Sequence, residues 1–249
     1  GSLIKFIPRP VTIGFTAGIA VIIFTGQIPN FLGLAGVENQ EYFIDNLKEI
    51  WLHLDSVNIY SIITALICFI MMLLTPRLFP KIPGPLIGLI VSTVAASIFF
   101  PDKVATIGST YGGIPQELPK FQFPEITIEK VKLLIQPAFI IAMLGAIESL
   151  LSAVVADGMS NSKHNSNREL IGQGIANIVT PMFGGIPATG AIARTATNIK
   201  SGAASPLSGV IHGIAVLIVL LLFAPFAGKI PLASMAPILM VVAWNMSER

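Results

Sequence analysis

Long apolar runs separated by short polar turns dominate the pattern of this chain. Val11 to Leu34, Val57 to Leu74, Leu86 to Phe100, Leu133 to Ala156, Pro206 to Phe223 and Pro231 to Asn245 contain no Lys or Arg and one carboxylate, Glu148. Such runs approach the roughly 20 apolar residues with which an α-helix crosses a bilayer, so each predicts a span, the third and the last being short. The segments between them differ. Gly36 to Asp55 concentrates Glu38, Glu41, Asp45, Glu49 and Asp55 against Lys48, while Phe43, Leu47, Ile50 and Leu54 recur at helical spacing. That predicts an amphipathic helix outside the membrane. Pro76, Pro80, Pro83 and Pro85 forbid a continuous helix after the second span. Pro101 to Lys132 is mixed and polar and predicts a loop, in which Val104 to Ile107 and Glu125 to Ile128 have the β-branched content of short strands. Thr127 is placed to cap the helix that follows.

Gly184 to Gly202 departs from this pattern. Gly184, Gly185 and Pro187 interrupt a helix, and the small residues that follow predict roughly three helical turns, a half-helix over 187–200. The short helix before it, Leu170 to Phe183, is only about 14 residues long, marginal for a crossing. Non-helical backbone at membrane depth is tolerated only where protein buries it or water reaches it, and secondary transporters use such breaks to aim a helix N-terminus at an anion. Unpaired N–H groups near Thr189 to Ile192, with Thr189 as N-cap, predict an anion site to which Arg194 adds a full charge one turn in. A cytoplasmic Gly/Pro loop with a solvated Arg194 is the alternative that this stretch alone leaves open.

Composition supports the membrane reading. The chain has 249 residues, of which 53% are hydrophobic and 11% charged, with a mean hydropathy of +0.80. Soluble domains carry about 25% charged residues, so this is a polytopic, all-α membrane protein. The formal charge of +2 is small and its cations are scattered, which excludes a nucleic-acid surface. Lys5 and Arg9 place the first end in the cytoplasm, and Arg77, Lys81, Lys163, Arg168 and Lys200 mark later cytoplasmic turns, leaving the loop at 101–126 outside. Cys68 is the sole cysteine, so an intrachain disulfide is impossible. No His, Cys or carboxylate spacing predicts a bound transition metal or a cofactor. Ser149 or Ser152 with His212 would be the only nucleophile and base to consider; the spacing does not support them and no Gly-x-Ser-x-Gly elbow is present, so no catalytic residue is expected. The opening Gly-Ser and a chain end directly after an apolar run predict a piece of a longer polypeptide.

Glu148 lies about two-thirds along its span, where an ionised group costs at least a few kcal/mol and must face a cavity or a cation. Ser152 shares its helix face at i, i+4, and together they offer oxygen to a proton or Na⁺. Coupling or substrate binding by Glu148 and a purely structural pair with Arg194 both fit the sequence. Gln173 and Asn177 read as interhelical glue, and His212 as a hydrogen-bonded structural residue.

Four stretches, FIPRPVTIGFTAGIA (6–20), KIPGPLIG (81–88), GAIESLLSAVVAD (145–157) and GGIPATGAIARTATNIKSG (184–202), resemble the sulfate permease (SulP) family of anion transporters. The resemblance implies a fold of two inverted seven-helix repeats divided into core and gate, with one half-helix per repeat at the substrate site and a cytoplasmic STAS domain following. It maps residues 1–126 onto first-repeat gate helices and an extracellular loop, 127–223 onto second-repeat core helices including the half-helix 187–200, and 224–249 onto the start of the second-repeat gate. The first four helices, the last two and the STAS domain have no counterpart here. Thr189, Gly190, Ala191, Ile192, Ala193 and Arg194 are the substrate-binding residues expected, with Glu148 and Ser152 for coupling; Ser152 matches a hydroxyl used for Na⁺ in a bicarbonate-transporting relative. The implied function is secondary active transport of sulfate, bicarbonate or a dicarboxylate, coupled to H⁺ or Na⁺, by a multi-pass protein of the cell membrane that is a homodimer when complete. A non-transporting membrane scaffold or inactive fragment is the alternative.

Overall fold

The computed structural model describes residues 9–80 and 82–246. Lys5 and Lys81, two of the topology-marking cations, lie outside the described residues, as does the side chain of Arg9. The described chain is helical almost throughout: α1 (Arg9–Gly26), α2 (Ile28–Leu32), α3 (Phe43–Leu52), α4 (Ile59–Leu78), α5 (Gly84–Phe99), α6 (Ile107–Tyr111), α7 (Ile128–Ser160), α8 (Ser166–Val179), α9 (Ile192–Lys200), α10 (Leu207–Ala227) and α11 (Leu232–Met246). Among the described residues four helical segments are long and apolar enough to cross a membrane, Ile13–Leu32, Ile59–Leu78, Ile128–Ser160 and Leu207–Ala227, and α5 and α11 are shorter apolar helices. The chain forms two compact units, one of residues 9–116 with 217–246 and the other of 117–216; their boundary passes through α10.

In the first unit α4 and α5 pack at very short range because α5 presents small residues at every fourth position. Gly84, Gly88, Ser92 and Ala96 are all buried, Gly84 against Met72 and Gly88 against Cys68 of α4. A Cβ on Gly88 would stand 2.8 Å from the Cys68 carbonyl oxygen. Such stripes let helix backbones meet in lipid, where no hydrophobic force drives association. Gly88→Ala should therefore lower stability by about 1–3 kcal/mol, the usual cost of overpacking, read as a fall in the thermal midpoint in detergent. Ser92 donates to Gly88 O at 2.7 Å, and its Oγ is hydrogen-bonded to Ser234 Oγ at 2.9 Å, tying α5 to α11. Ala65, Val104 and Ala233 form a small buried cluster with Phe31, Tyr60 and Phe100 against it.

Two sequence expectations need correction in this unit. α4 does not stop before its proline but runs through Pro76 to Leu78. A proline in the last turn removes a single N–H bond, the one Met72 O would have accepted. Gly84 comes so close to that carbonyl that no Cβ would fit. The β-branched residues at 104–107 form no strand; a single antiparallel bridge joins Thr106 and Pro231. Around it Ile107 N donates to Ile230 O at 3.0 Å and Leu232 N to Ala105 O at 3.0 Å, so the extended backbone is a cross-tie between loops. The acidic segment does form an amphipathic helix, α3, with Ile50 buried.

In the second unit α7 is 33 residues long. At 1.5 Å per residue it reaches about 50 Å, against a hydrocarbon core of about 30 Å. Usual tilts, up to about 40°, do not absorb that difference, so turns of α7 project beyond the hydrocarbon. Thr127 caps it as expected, accepting from Lys130 N at 3.2 Å, so the other β-branched stretch, 125–128, is helix start rather than strand. At its far end Asn161 takes the left-handed conformation (φ 51°), and Asp157 accepts from the His164 backbone at 3.0 Å and pairs with His164 Nδ1 at 2.7 Å. α8 is a 14-residue helix extended by a 3-10 turn, Thr180–Phe183. Gly184, at φ 72°, ends that turn in a conformation glycine adopts without strain.

Candidate functional site

The non-helical backbone from Gly185 to Ala191 is held by side chains of α8 and, through Thr189, by a main-chain carbonyl of α7. Ala188 N donates to Asn177 Oδ1 at 2.8 Å, and Asn177 Nδ2 donates back to Ala188 O at 2.8 Å. Gln173, one turn earlier on α8, donates to the same carbonyl. Thr189 Oγ1 donates to Gly145 O of α7 at 2.8 Å. Gly190 sits against Ser149 and Ser152, where an added Cβ would meet Ser152 at 3.6 Å, ordinary contact distance.

α9 follows, nine residues long, with Ala191 as its N-cap and no side chain capping it. Its first i→i−4 bond runs from Thr195 N to Ala191 O at 2.9 Å. The N–H groups of Ile192, Ala193 and Arg194 thus have no partner within the helix, which is the positive end of its dipole. This corrects two expectations. The helix begins at Ile192, not at 187, and Thr189 is not its N-cap, because that hydroxyl is spent on α7. Of the six expected substrate-binding residues, Thr189, Gly190 and Ala191 are lead-in and cap, while Ile192, Ala193 and Arg194 form the first turn; the Ala193 side chain lies outside the described residues.

Ser152 is buried and donates to Thr195 Oγ1 of α9 at 2.7 Å. Glu148 is half-buried, with no hydrogen bond or ion pair from the described residues. It faces a cavity of about 800 Å³ whose wall includes Ile141, Gln173, Asn177, Pro187 and Thr189. Arg194 is exposed and is not part of that wall. Its Nη2 lies 2.9 Å from His212 Nε2. A guanidinium only donates, so Nε2 is the acceptor in this contact. The structural pair between Glu148 and Arg194 is absent, and Arg194 does not line the cavity that Glu148 faces.

Glu169 was not singled out in the sequence, yet its Oε1 accepts from the buried Ser149 at 2.8 Å. A carboxylate in the first turn of α8, where a helix dipole favours one, was the available signal. Ser149 and Ser152 bond to Glu169 and Thr195, not to His212, so no nucleophile and base are paired there. Among the described residues no cluster of three His, Cys, Asp or Glu offers a metal site.

The sulfate permease family model matches residues 1–249. The chain belongs to that family. Over 249 residues it is 63% identical to YvdB of Bacillus subtilis (strain 168), a protein with a provisional sulfate-transporter name, covering 100% of this chain and 47% of that one. It is 34% identical over 268 residues to the bicarbonate transporter BicA of Picosynechococcus sp., covering 100% of this chain and 44% of that one. Among solved structures, the transmembrane domain of a cyanobacterial BicA superposes with a TM-score of 0.86 at 30% identity, covering 100% of this chain and 62% of that one. Murine solute carrier 26 family member A9, in an inward-facing state, shares the fold at a TM-score of 0.80 and 19% identity, over 97% of this chain and 40% of that one. The chain therefore spans about half the length of the curated relatives it matches. It is a multi-pass helical membrane protein of a family of transporters rather than enzymes.

Proposed function

We propose that the complete protein is a secondary active transporter of a small inorganic or carboxylate anion, with sulfate and bicarbonate as the first substrates to test. The observation that carries this is the break before α9. Polar backbone from 185 to 191 is fastened to two neighbouring helices, and the three free N–H groups and Arg194 follow it directly. Uncapped N–H groups and a cation on one helical turn attract an anion, and backbone groups at membrane depth bear this arrangement only where water or substrate reaches them. The names of YvdB and BicA point to sulfate and bicarbonate respectively.

On this reading Ile192, Ala193 and Arg194 bind the anion, with Thr189, Gly190 and Ala191 shaping the approach. Glu148 and Ser152 take the coupling ion, H⁺ or Na⁺. Their oxygens suit either, since the Glu148 carboxylate has no hydrogen-bond or ion-pair partner among the described residues and the Ser152 oxygen, donating to Thr195, keeps its lone pairs. Residues 127–223 belong to the core and 1–126 and 224–249 to the gate, and the complete protein assembles as a homodimer. Uptake of labelled sulfate, bicarbonate and dicarboxylates into proteoliposomes bearing the complete protein should be saturable for at least one of them. Flat, non-saturable entry of all three would leave a membrane scaffold and overturn the proposal.

A further inference from the structure

We infer that Asn177, supported by Gln173, is a positioning residue of the anion site: its side-chain amide fixes the extended backbone that aims the N-terminus of α9. The inference rests on the transport reading above.

Asn177 engages both backbone groups of Ala188, accepting the N–H and donating to the C=O, each at 2.8 Å. The pair works like one rung of a β-ladder supplied by a side chain. Its orientation is fixed by a third bond, since Nδ2 also donates to Gln173 O at 3.0 Å. Flipping the amide would set its NH₂ against the Ala188 N–H and leave the two carbonyl oxygens without that donor. Gln173 lies one turn away on the same face of α8, and its own amide reaches the Ala188 carbonyl. Pro187, immediately before, has no N–H to satisfy. The polar groups of Pro187 N, Ala188 N and Ala188 O are thus all accounted for within a cavity wall that includes Ile141 and Leu144.

From Ala188 the chain reaches the first turn of α9 in four residues, with Thr189 anchored on α7 and Ser152 holding Thr195. These contacts hold α9 against α7 and its lead-in against α8. Without the Asn177 rung, Ala188 has an unpaired N–H, and the lead-in relaxes towards whatever partner it can find. The three free N–H groups then turn away from the site they define. Glu148 and Ser152, on α7, bond to neither Asn177 nor Ala188, so the loss of the rung leaves the hydrogen bonding of both proposed coupling groups in place. The expected signature is a loss of anion affinity with the coupling dependence intact.

The test uses the complete protein in proteoliposomes with labelled sulfate and bicarbonate as probes. Asn177→Leu keeps the approximate size and removes both halves of the rung; it should raise KM at least tenfold while the pH or Na⁺ midpoint of uptake stays at its wild-type value. Asn177→Gln restores an amide on a longer stem and should recover part of the affinity. Gln173→Ala removes only the second donor to Ala188 O, and should raise KM about threefold with an unchanged thermal midpoint. A merely structural role would lower the folded yield or the maximal rate per protein and leave KM alone. Unchanged KM in folded Asn177→Leu, or in Gln173→Ala should the leucine variant not fold, overturns the inference while transport stands. Wild-type protein without saturable uptake overturns the transport reading and this inference with it.

Discussion

Replacing Arg194 with Gln should raise the KM for the transported anion ten- to a hundredfold in the complete protein, with little loss of stability. The guanidinium sits in the first turn of α9, exposed, and spends one N–H on His212 Nε2. Four of its five donors remain for a ligand. A hydrogen bond to a charged group contributes about 1.5–3 kcal/mol, and each 1.4 kcal/mol is about tenfold in affinity, which sets the expected range. Arg194→Lys should recover part of the loss, because the charge survives while the planar fork that grips two oxygens does not. Stability should hold because no carboxylate among the described residues pairs with Arg194, so removing it strands no buried anion. KM measurements on the two variants, beside their thermal midpoints, decide this; a wild-type KM in Arg194→Gln would remove the residue from the anion site.

Glu148→Gln should instead leave anion KM within a few fold and flatten the dependence of uptake on pH or Na⁺. An ionised carboxylate within a span without a protein partner is costly, and a bound proton or cation relieves that cost. Neutralising the group makes the relief unnecessary and uncouples the ion from the anion. Measuring uptake against a pH series and a Na⁺ series separates the two candidates, since only the true coupling ion's dependence disappears. Combining Glu148→Gln with Arg194→Gln gives a sharper check. With no bond between the two side chains, their effects on stability should add to within about 0.5 kcal/mol. Recovery of stability in the double variant would mean that the charges do pair and that the geometry seen here is not the working one. A Glu148→Gln protein with an unaltered ion dependence would move coupling elsewhere, and Glu169, bonded to Ser149 on the same helix, is the next carboxylate to change.

The apolar runs made the spans legible because membrane helices announce themselves by length and hydropathy alone. Arg194, Glu148 and Ser152 stand out as candidates for a related reason: ionisable and polar groups are expensive at that depth, so each invites a proposed role. What stayed hidden was tertiary. The start of α9 was expected at Pro187, a residue that suits a first helical turn. It moved to Ile192 because Asn177, 11 positions before Ala188, claims that residue's backbone for an extended rung. Thr189 had the chemistry of an N-cap and lost that role to a carbonyl 44 residues away in sequence, on α7. Arg194 similarly found His212, 18 residues on, and Ser149 found Glu169. No local pattern encodes such pairs. The helix through Pro76 differs for another reason: the full cost of proline falls on a helix interior, and in a last turn it is smaller.

The close pair of α4 and α5 carries a consequence for how the sequence can vary. The stripe Gly84, Gly88, Ser92, Ala96 has no room for a larger side chain, while two residues further round, Leu86, Ile90, Val94 and Ile98 are each at least half exposed. A saturation library over α5 should thus divide into two interleaved registers of period four. One would accept only the smallest side chains, the other almost any apolar one. The boundary between them would trace on the helix surface, from growth or expression alone, the line where protein gives way to its surroundings.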